Sequence, residues 1–152
     1  MSKTVDQVAA LPLRWDGQGR LRVLMVTSRD TGRWVMPKGW TMVGKKPWRA
    51  AEIEALEEAG VTGHVSRIPI GAYRYDKIME GGDSVPCRVT LFPMIVQSVK
   101  RRWKERRERK RRWFSVKGAA RAVDEPDLVE ILAELEKKPR KHPVISHLRR
   151  AS

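Results

Sequence analysis

Residues 39–61 read GWTMVGKKPWRAAEIEALEEAGV, and the spacing of charged and small side chains in this stretch decides how the rest of the chain is read. At 100° per residue, with Glu54 as origin, Glu57 falls at about 300° and Glu58 at about 40°, so the three carboxylates share roughly 100° of a helix surface. Leu56 and Ala59 fall on the far arc, which predicts an apolar back packed on a sheet and a negative front. Pro47 suits the first helical turn, where its missing N–H costs nothing, and Gly60 suits the position just past the end, where φ is often positive. The predicted helix therefore runs from Pro47 to Ala59. Like charges at i, i+3 and i+4 destabilise a helix by a few tenths of a kcal/mol per pair, and no lysine or arginine lies within the cluster to relieve them. Such a front is either a plain solvated face or a holder of cations. Mg²⁺ takes oxygen ligands, commonly one or two carboxylates together with substrate phosphates, which suits a cluster without histidine or cysteine; zinc does not fit.

Gly39 followed by Glu54, Glu57, Glu58, Gly60 and Val61 resembles the Nudix box, G-x5-E-x7-R-E-U-x-E-E-x-G-U with U aliphatic. Lys45 stands where that pattern has its first glutamate, Ile53 where it has arginine, and Ala55 where it has a bulkier aliphatic residue. The resemblance implies an α/β fold, the Nudix α/β/α sandwich in which a mixed sheet is flanked by helices. It also implies a Mg²⁺- or Mn²⁺-dependent pyrophosphohydrolase, with metal held by the Gly39 carbonyl and by Glu54, Glu57 and Glu58, and with Glu57 or Glu58 as the base. In the family the box arginine steadies the glutamates. Ile53 has no such capacity, and Arg49, one turn earlier at nearly the same azimuth, is the candidate to reach across.

The resemblance extends upstream. Ser28-Arg29, Arg33-Trp34 and Pro37-Lys38-Gly39 form an SR-x3-RW-x2-PKG run similar to the branch that hydrolyses diphosphoinositol polyphosphates and dinucleoside polyphosphates. It implies that Arg29, Arg33 and Lys38 face substrate phosphates, each otherwise an ordinary turn charge. Arg88 aligns with a phosphate-contacting arginine of that branch. Glu80, in the polar loop 76–83, is the candidate for the additional glutamate that Nudix enzymes often draw from this region.

The chain has 152 residues, 41% of them hydrophobic, a net charge of +14 and an isoelectric point near 10.6. That length predicts a single domain over 1–152, with a core of about 8–136 and a basic, frayed tail over 137–152. The charge implies polyanionic company, whether phosphorylated small molecules, nucleic acid or a lipid surface. The lone Cys87 excludes an internal disulfide, and no apolar run is long enough for a signal peptide or membrane span, so a cytoplasmic location is expected, with the oligomeric state left open.

In chain order, residues 8–15 carry scattered apolar side chains, Asp16-Gly17 marks a turn, and Leu21–Ser28 reads as a buried strand. Residues 85–99 form the longest apolar stretch, where Pro93 predicts an edge position or a bulge. Residues 100–112, KRRWKERRERKRR, predict a solvated connection between the last two strands, with nucleic-acid binding as its alternative use. Leu128, Ile131, Leu132 and Leu135 make a helical core stripe after a start at Asp124-Glu125-Pro126. His64, His142 and His147 lack partners for a ligand role. Two competing readings follow from the arginine run and the substituted box: an RNA 5′-end pyrophosphohydrolase, and a catalytically weak nucleic-acid binder on the same scaffold.

Overall fold

The computed structural model describes residues 3–151. Its strands are β1 Val5–Trp15, β2 Leu21–Thr27, β3 Trp34–Val35, β4 Lys38–Trp40, β5 Val61–Val65, β6 Gly71–Ile78, β7 Ser84–Val99 and β8 Arg111–Ser115. The helices are α1 Pro47–Ala59, α2 Val116–Ala122, α3 Pro126–Lys137 and α4 Pro143–Ala151. The strands form one mixed sheet in which β1 and β7 run parallel at the centre and the other pairings are antiparallel.

Alternation along the central strands builds two cores. On β1, Ala9, Leu11 and Leu13 pack with Leu128, Leu132 and Leu135 of α3, while Val8 and Ala10 face α1. Likewise on β7, Val89 and Leu91 face the first core, and Phe92, Met94 and Val96 the second. Helices cover both faces, the layered arrangement expected from the sequence.

Pro93 occupies a central strand, which corrects the expectation of an edge. β7 pairs with β6 up to Leu91 and with β5 from Met94, so Pro93 sits where the antiparallel neighbour changes and no ladder bond needs its N–H. Pro12 does the same on β1, between the pairing with β4, which ends at Ala9, and the pairing with β2, which begins at Leu13. Both strands are thereby shared between two half-sheets.

The C-terminal tail is also corrected. Residues 143–151 form α4, and Ile145 and Leu148, three residues apart on one face, are 0% and 1% exposed. Their burial anchors a helix whose outer face carries Arg149 and Arg150. The polar loop expected over 76–83 is shorter than predicted. β6 continues to Ile78, opposite Ser84, and only 79–83 form the hairpin tip.

Candidate functional site at the glutamate face of α1

Helix α1 has the predicted limits, Pro47 to Ala59, with Gly60 left-handed at φ 67° and its N–H bonded to the carbonyls of Ala55 and Leu56. A Cβ on Gly60 would also lie 2.8 Å from the Trp103 ring, so close packing demands glycine as much as the dihedral does. The buried side differs from the expected one. Ala50, Ala51, Ala55 and Ala59 face the sheet, centred at about 60–100° on the scale used above, whereas Leu56 at about 200° is 37% exposed. The negative front is therefore beside the buried arc instead of opposite it. Glu58, at its edge, is tucked in at 7% exposure, Glu54 is half-buried, and Glu57 points outward, 3.6 Å from Lys104 Nζ. Small alanines allow this close approach.

Strand β4 passes directly beside the glutamates. The Lys38 N–H donates to Glu58 Oε1 at 3.1 Å, and a Cβ on Gly39 would lie 2.5 Å from the Glu54 carboxylate. Only glycine lets the backbone lie so near that carboxylate. Burial first, and then the neighbouring Glu58 and Glu57 charges, push the Glu54 carboxyl up to about 7. Burial also raises Glu58, against the pull of Arg109 and of the Lys38 N–H. Lys38 itself is lowered to about 8 by burial, against the pull of Glu58.

These residues line a cleft of about 280 Å³, together with Gln7, Arg29, Trp40, Tyr75, Lys77, Glu105 and Arg109. Of the residues singled out from sequence, Gly39, Glu54, Glu58, Arg29 and Lys38 meet here. Arg33 is turned to the α2–α3 connection, where Nη2 donates to Glu125 Oε2 at 2.8 Å; Arg33 Nη1 and Glu125 Oε1 are buried without a hydrogen-bond partner. Arg88 is exposed on β7 and Glu80 lies at the β6–β7 hairpin tip; neither lines the cleft. Arg49 pairs with Glu52, three residues on along its own helix, because that carboxylate is nearer than any of the front. Glu58 is held instead by Arg109, 3.2 Å from Oε2.

Sequence reading missed Gln7, Trp40, Tyr75, Lys77, Glu105 and Arg109. Glu105 and Arg109 stand at i, i+4 and do pair, Nε to Oε1 at 2.9 Å, but ten basic residues in 100–112 hide that spacing. Gln7 and Tyr75 are joined by a bond from the tyrosine Oη to Gln7 Oε1 at 2.6 Å, between strands 68 residues apart.

The donor set is oxygen throughout. Among the described residues no three His, Cys, Asp or Glu side chains converge into a ready-made metal shell. Two adjoining carboxylates beside a glycine backbone, one of them raised to about 7 by burial and by its acidic neighbours, suit a hard divalent ion that takes its other ligands from substrate.

Comparison with known proteins agrees with this architecture. The chain is 35% identical over 107 residues to Nudix hydrolase 12, mitochondrial, of Arabidopsis thaliana, covering 68% of this chain and 53% of that protein. In sequence and in fold the chain is similar to the Nudix hydrolases. Another relative, the human diphosphoinositol polyphosphate phosphohydrolase 3-alpha, is 29% identical over 118 residues, covering 75% of this chain and 68% of the relative. The Nudix fold is seen again in a C. elegans Ap4A hydrolase crystal structure, with a TM-score of 0.61, 18% identity and coverage of 89% and 98% of the two chains. No family model matches the chain. The chain spans about half the length of the first Arabidopsis relatives it matches, 53% and 54%. The Ile53 deviation from the Nudix box has a structural counterpart: the guanidinium on Glu58 comes from Arg109, outside the helix.

Proposed function

We propose that the chain is a Mg²⁺- or Mn²⁺-dependent pyrophosphohydrolase that cuts a phosphoanhydride bond in diphosphoinositol polyphosphates or dinucleoside polyphosphates. The observation that carries this reading is the cleft itself. Its floor is the Glu54–Glu58 pair against the Gly39 backbone, and its walls bring Arg29, Lys38 and Lys77 to the same opening. Acidic floor and basic walls suit a substrate that carries several phosphates and binds together with a divalent cation. The human relative named above and the C. elegans fold neighbour both carry names of such enzymes.

The Gly39 backbone and Glu58 would hold the cation, with Glu54 adjoining on the same floor, whereas Glu57 points outward and does not line the cleft. Mg²⁺ or Mn²⁺ bound there supplies positive charge to the phosphate oxygens and acidifies the attacking water. This chain's own residues do the rest. Lys38, Lys77 and Arg29 neutralise and orient the non-bridging oxygens, a task of positioning and charge more than of covalent chemistry. Glu58 has both oxygens engaged, one by the Lys38 N–H and one by Arg109, whereas Glu54 stands half-buried on the same floor with its carboxyl raised, in the metal-free protein, by burial and by the Glu58 and Glu57 charges. The water proton therefore goes to Glu54.

The test is a substrate panel assayed with Mg²⁺ and with Mn²⁺: diphosphoinositol phosphates, dinucleoside polyphosphates, nucleotide sugars, ADP-ribose and triphosphorylated RNA. Hydrolysis of the first two classes ahead of the others is expected. Turnover of triphosphorylated RNA alone, or of nothing, would overturn the proposal.

A further inference from the structure

The connection from β7 to β8 is folded back against the end of α1. The last turn of any helix leaves backbone carbonyls without intrahelical donors, and α1 has no basic side chain of its own there. The connection supplies the donors. The Glu105 N–H bonds the Glu57 carbonyl at 3.1 Å, Trp103 Nε1 bonds the Glu58 carbonyl at 3.0 Å, and Arg111 Nη1 bonds the Ala59 carbonyl at 2.9 Å. Arg111 also lies 3.8 Å over the Trp103 ring, which in turn packs on Gly60. Three successive carbonyls are thus capped by one segment, and its cationic Arg111 sits at the negative end of the helix dipole.

Within this clamp Arg109 uses every nitrogen. Nη1 donates to the Thr27 carbonyl at the end of β2 at 3.0 Å, Nη2 to Glu58 Oε2 at 3.2 Å, and Nε to Glu105 Oε1 at 2.9 Å. Its side chain is 8% exposed, beside Glu58 at 9% and Glu105 at 13%. A planar guanidinium reaches three acceptors in fixed directions, which the point charge of lysine does not.

We propose that Arg109 is the positioning residue of the site. It fixes the Glu58 carboxylate from one side while the Lys38 N–H fixes it from the other, and residues 103–111 clamp the helix that carries the glutamates. The inference rests on the reading of the cleft as a divalent-cation site, and it assigns to the buried part of the arginine run a structural task in that site. Arg109 serves Glu58 and does not bind substrate.

The test combines Arg109→Ala, Arg109→Lys and Glu58→Gln, singly and in pairs, with three measurements: Mn²⁺ affinity of the substrate-free protein by electron paramagnetic resonance, steady-state kinetics, and thermal unfolding of the metal-free protein. Arg109→Ala is expected to weaken Mn²⁺ binding about 10- to 100-fold and to lower kcat comparably, with KM changed less than about threefold. Arg109→Lys restores only part of both. Added to Glu58→Gln, Arg109→Ala should have little further effect on Mn²⁺ affinity, since the group it positions is already altered. Should Arg109→Ala fail to fold, Glu105→Gln reads the same tie through loss of the carboxylate charge that Arg109 Nε faces. A raised KM with unchanged kcat and Mn²⁺ affinity would make Arg109 a substrate contact and overturn the proposal. So would additivity with Glu58→Gln in both affinity and unfolding. Wild-type protein that binds no Mn²⁺, yet shows coupled unfolding of Arg109 and Glu58 variants, would overturn the cation-site reading and the positioning role while leaving the clamp as a stabilising contact.

Discussion

Helix α1 and the connection that caps it form one site, yet they arise in different ways. Helix α1 is specified locally: Pro47 opens it, Gly60 closes it, and alanines at close spacing set its buried face. The segment 103–111 has no regular periodicity, and its position depends on acceptors that α1 and β2 present only after folding: the Glu57, Glu58 and Ala59 carbonyls and the Thr27 carbonyl. Carboxylates gathered on one helix face are self-repelling, and the cation that relieves them is taken from far along the sequence. A charge run is thus divided in two by folding. Arg109 and Arg111 turn inward and are consumed by hydrogen bonds, while Arg101, Arg102, Arg106 and Arg107 remain on the surface.

The sharpest way to break this comparison is at the helix. Glu58→Gln is expected to lower turnover by at least about a hundredfold without unfolding the protein, because it removes a charged ligand and leaves the shape intact. Glu57→Gln should lower it less, since Glu57 is partly exposed, lies off the cleft lining and pairs with Lys104 at 3.6 Å. Equal turnover in wild type and Glu58→Gln would dismiss the cation site; circular dichroism and melting curves of both variants report whether the fold survives.

Next in size is Gly39→Ala. A methyl group there would lie 2.5 Å from the Glu54 carboxylate, so either β4 or that side chain must shift. A loss of about tenfold or more in kcat is expected, given the sensitivity of positioned groups to ångström displacements. Unchanged kinetics would show that Glu54 has room to move and takes no precise part.

Charge separates the two halves of the basic surface with smaller effects. Lys38→Met and Lys77→Gln are expected to raise KM several-fold, most for substrates with many phosphates and least for ADP-ribose. Replacing Arg101, Arg102, Arg106 and Arg107 together by glutamine should leave KM within about twofold and reduce salt-sensitive retention on a polyanion such as heparin. A KM rise in the fourfold variant equal to that of the lysine variants would erase the distinction between cleft and surface charge.

The smallest effect is on stability. The Glu54 carboxyl lies above its usual 4.5, at about 7, through burial first and the Glu58 and Glu57 charges next. Between these values the native state binds more protons than the unfolded chain, so the stability of the metal-free protein falls as pH rises from about 4.5 to 7 and is level above. Glu54→Gln removes that penalty. It should raise Tm by on the order of a few degrees at pH 8 and change it little at pH 4. Calorimetry at the two pH values that gave the same increment at both would show that Glu54 ionises freely.

Local rules made much of the molecule legible in the sequence. The limits of α1, the turn at Asp16, strand β2 and the Leu128–Leu135 stripe follow from caps, turn residues and periodicity, all of which act over a few residues. The glycine and glutamates of the cleft were legible for the same reason: they stand at fixed offsets along one helix and its preceding loop. Where local signals carried two meanings, folding chose between them. Pro93 broke no sheet because the neighbouring strand changes beside it, and α4 formed on a basic tail because Ile145 entered the core and Leu148 was buried beside it on the same helix face. Leu56, apolar in sequence, went to the surface because the alanine arc packed closer to β1. Arg109 lay beyond any local rule. It is one of ten basic residues in its segment, and beyond the i, i+4 tie to Glu105 its buried place depends on Thr27 and Glu58, 82 and 51 positions away, which are brought within 3.2 Å only by the packed sheet and helix.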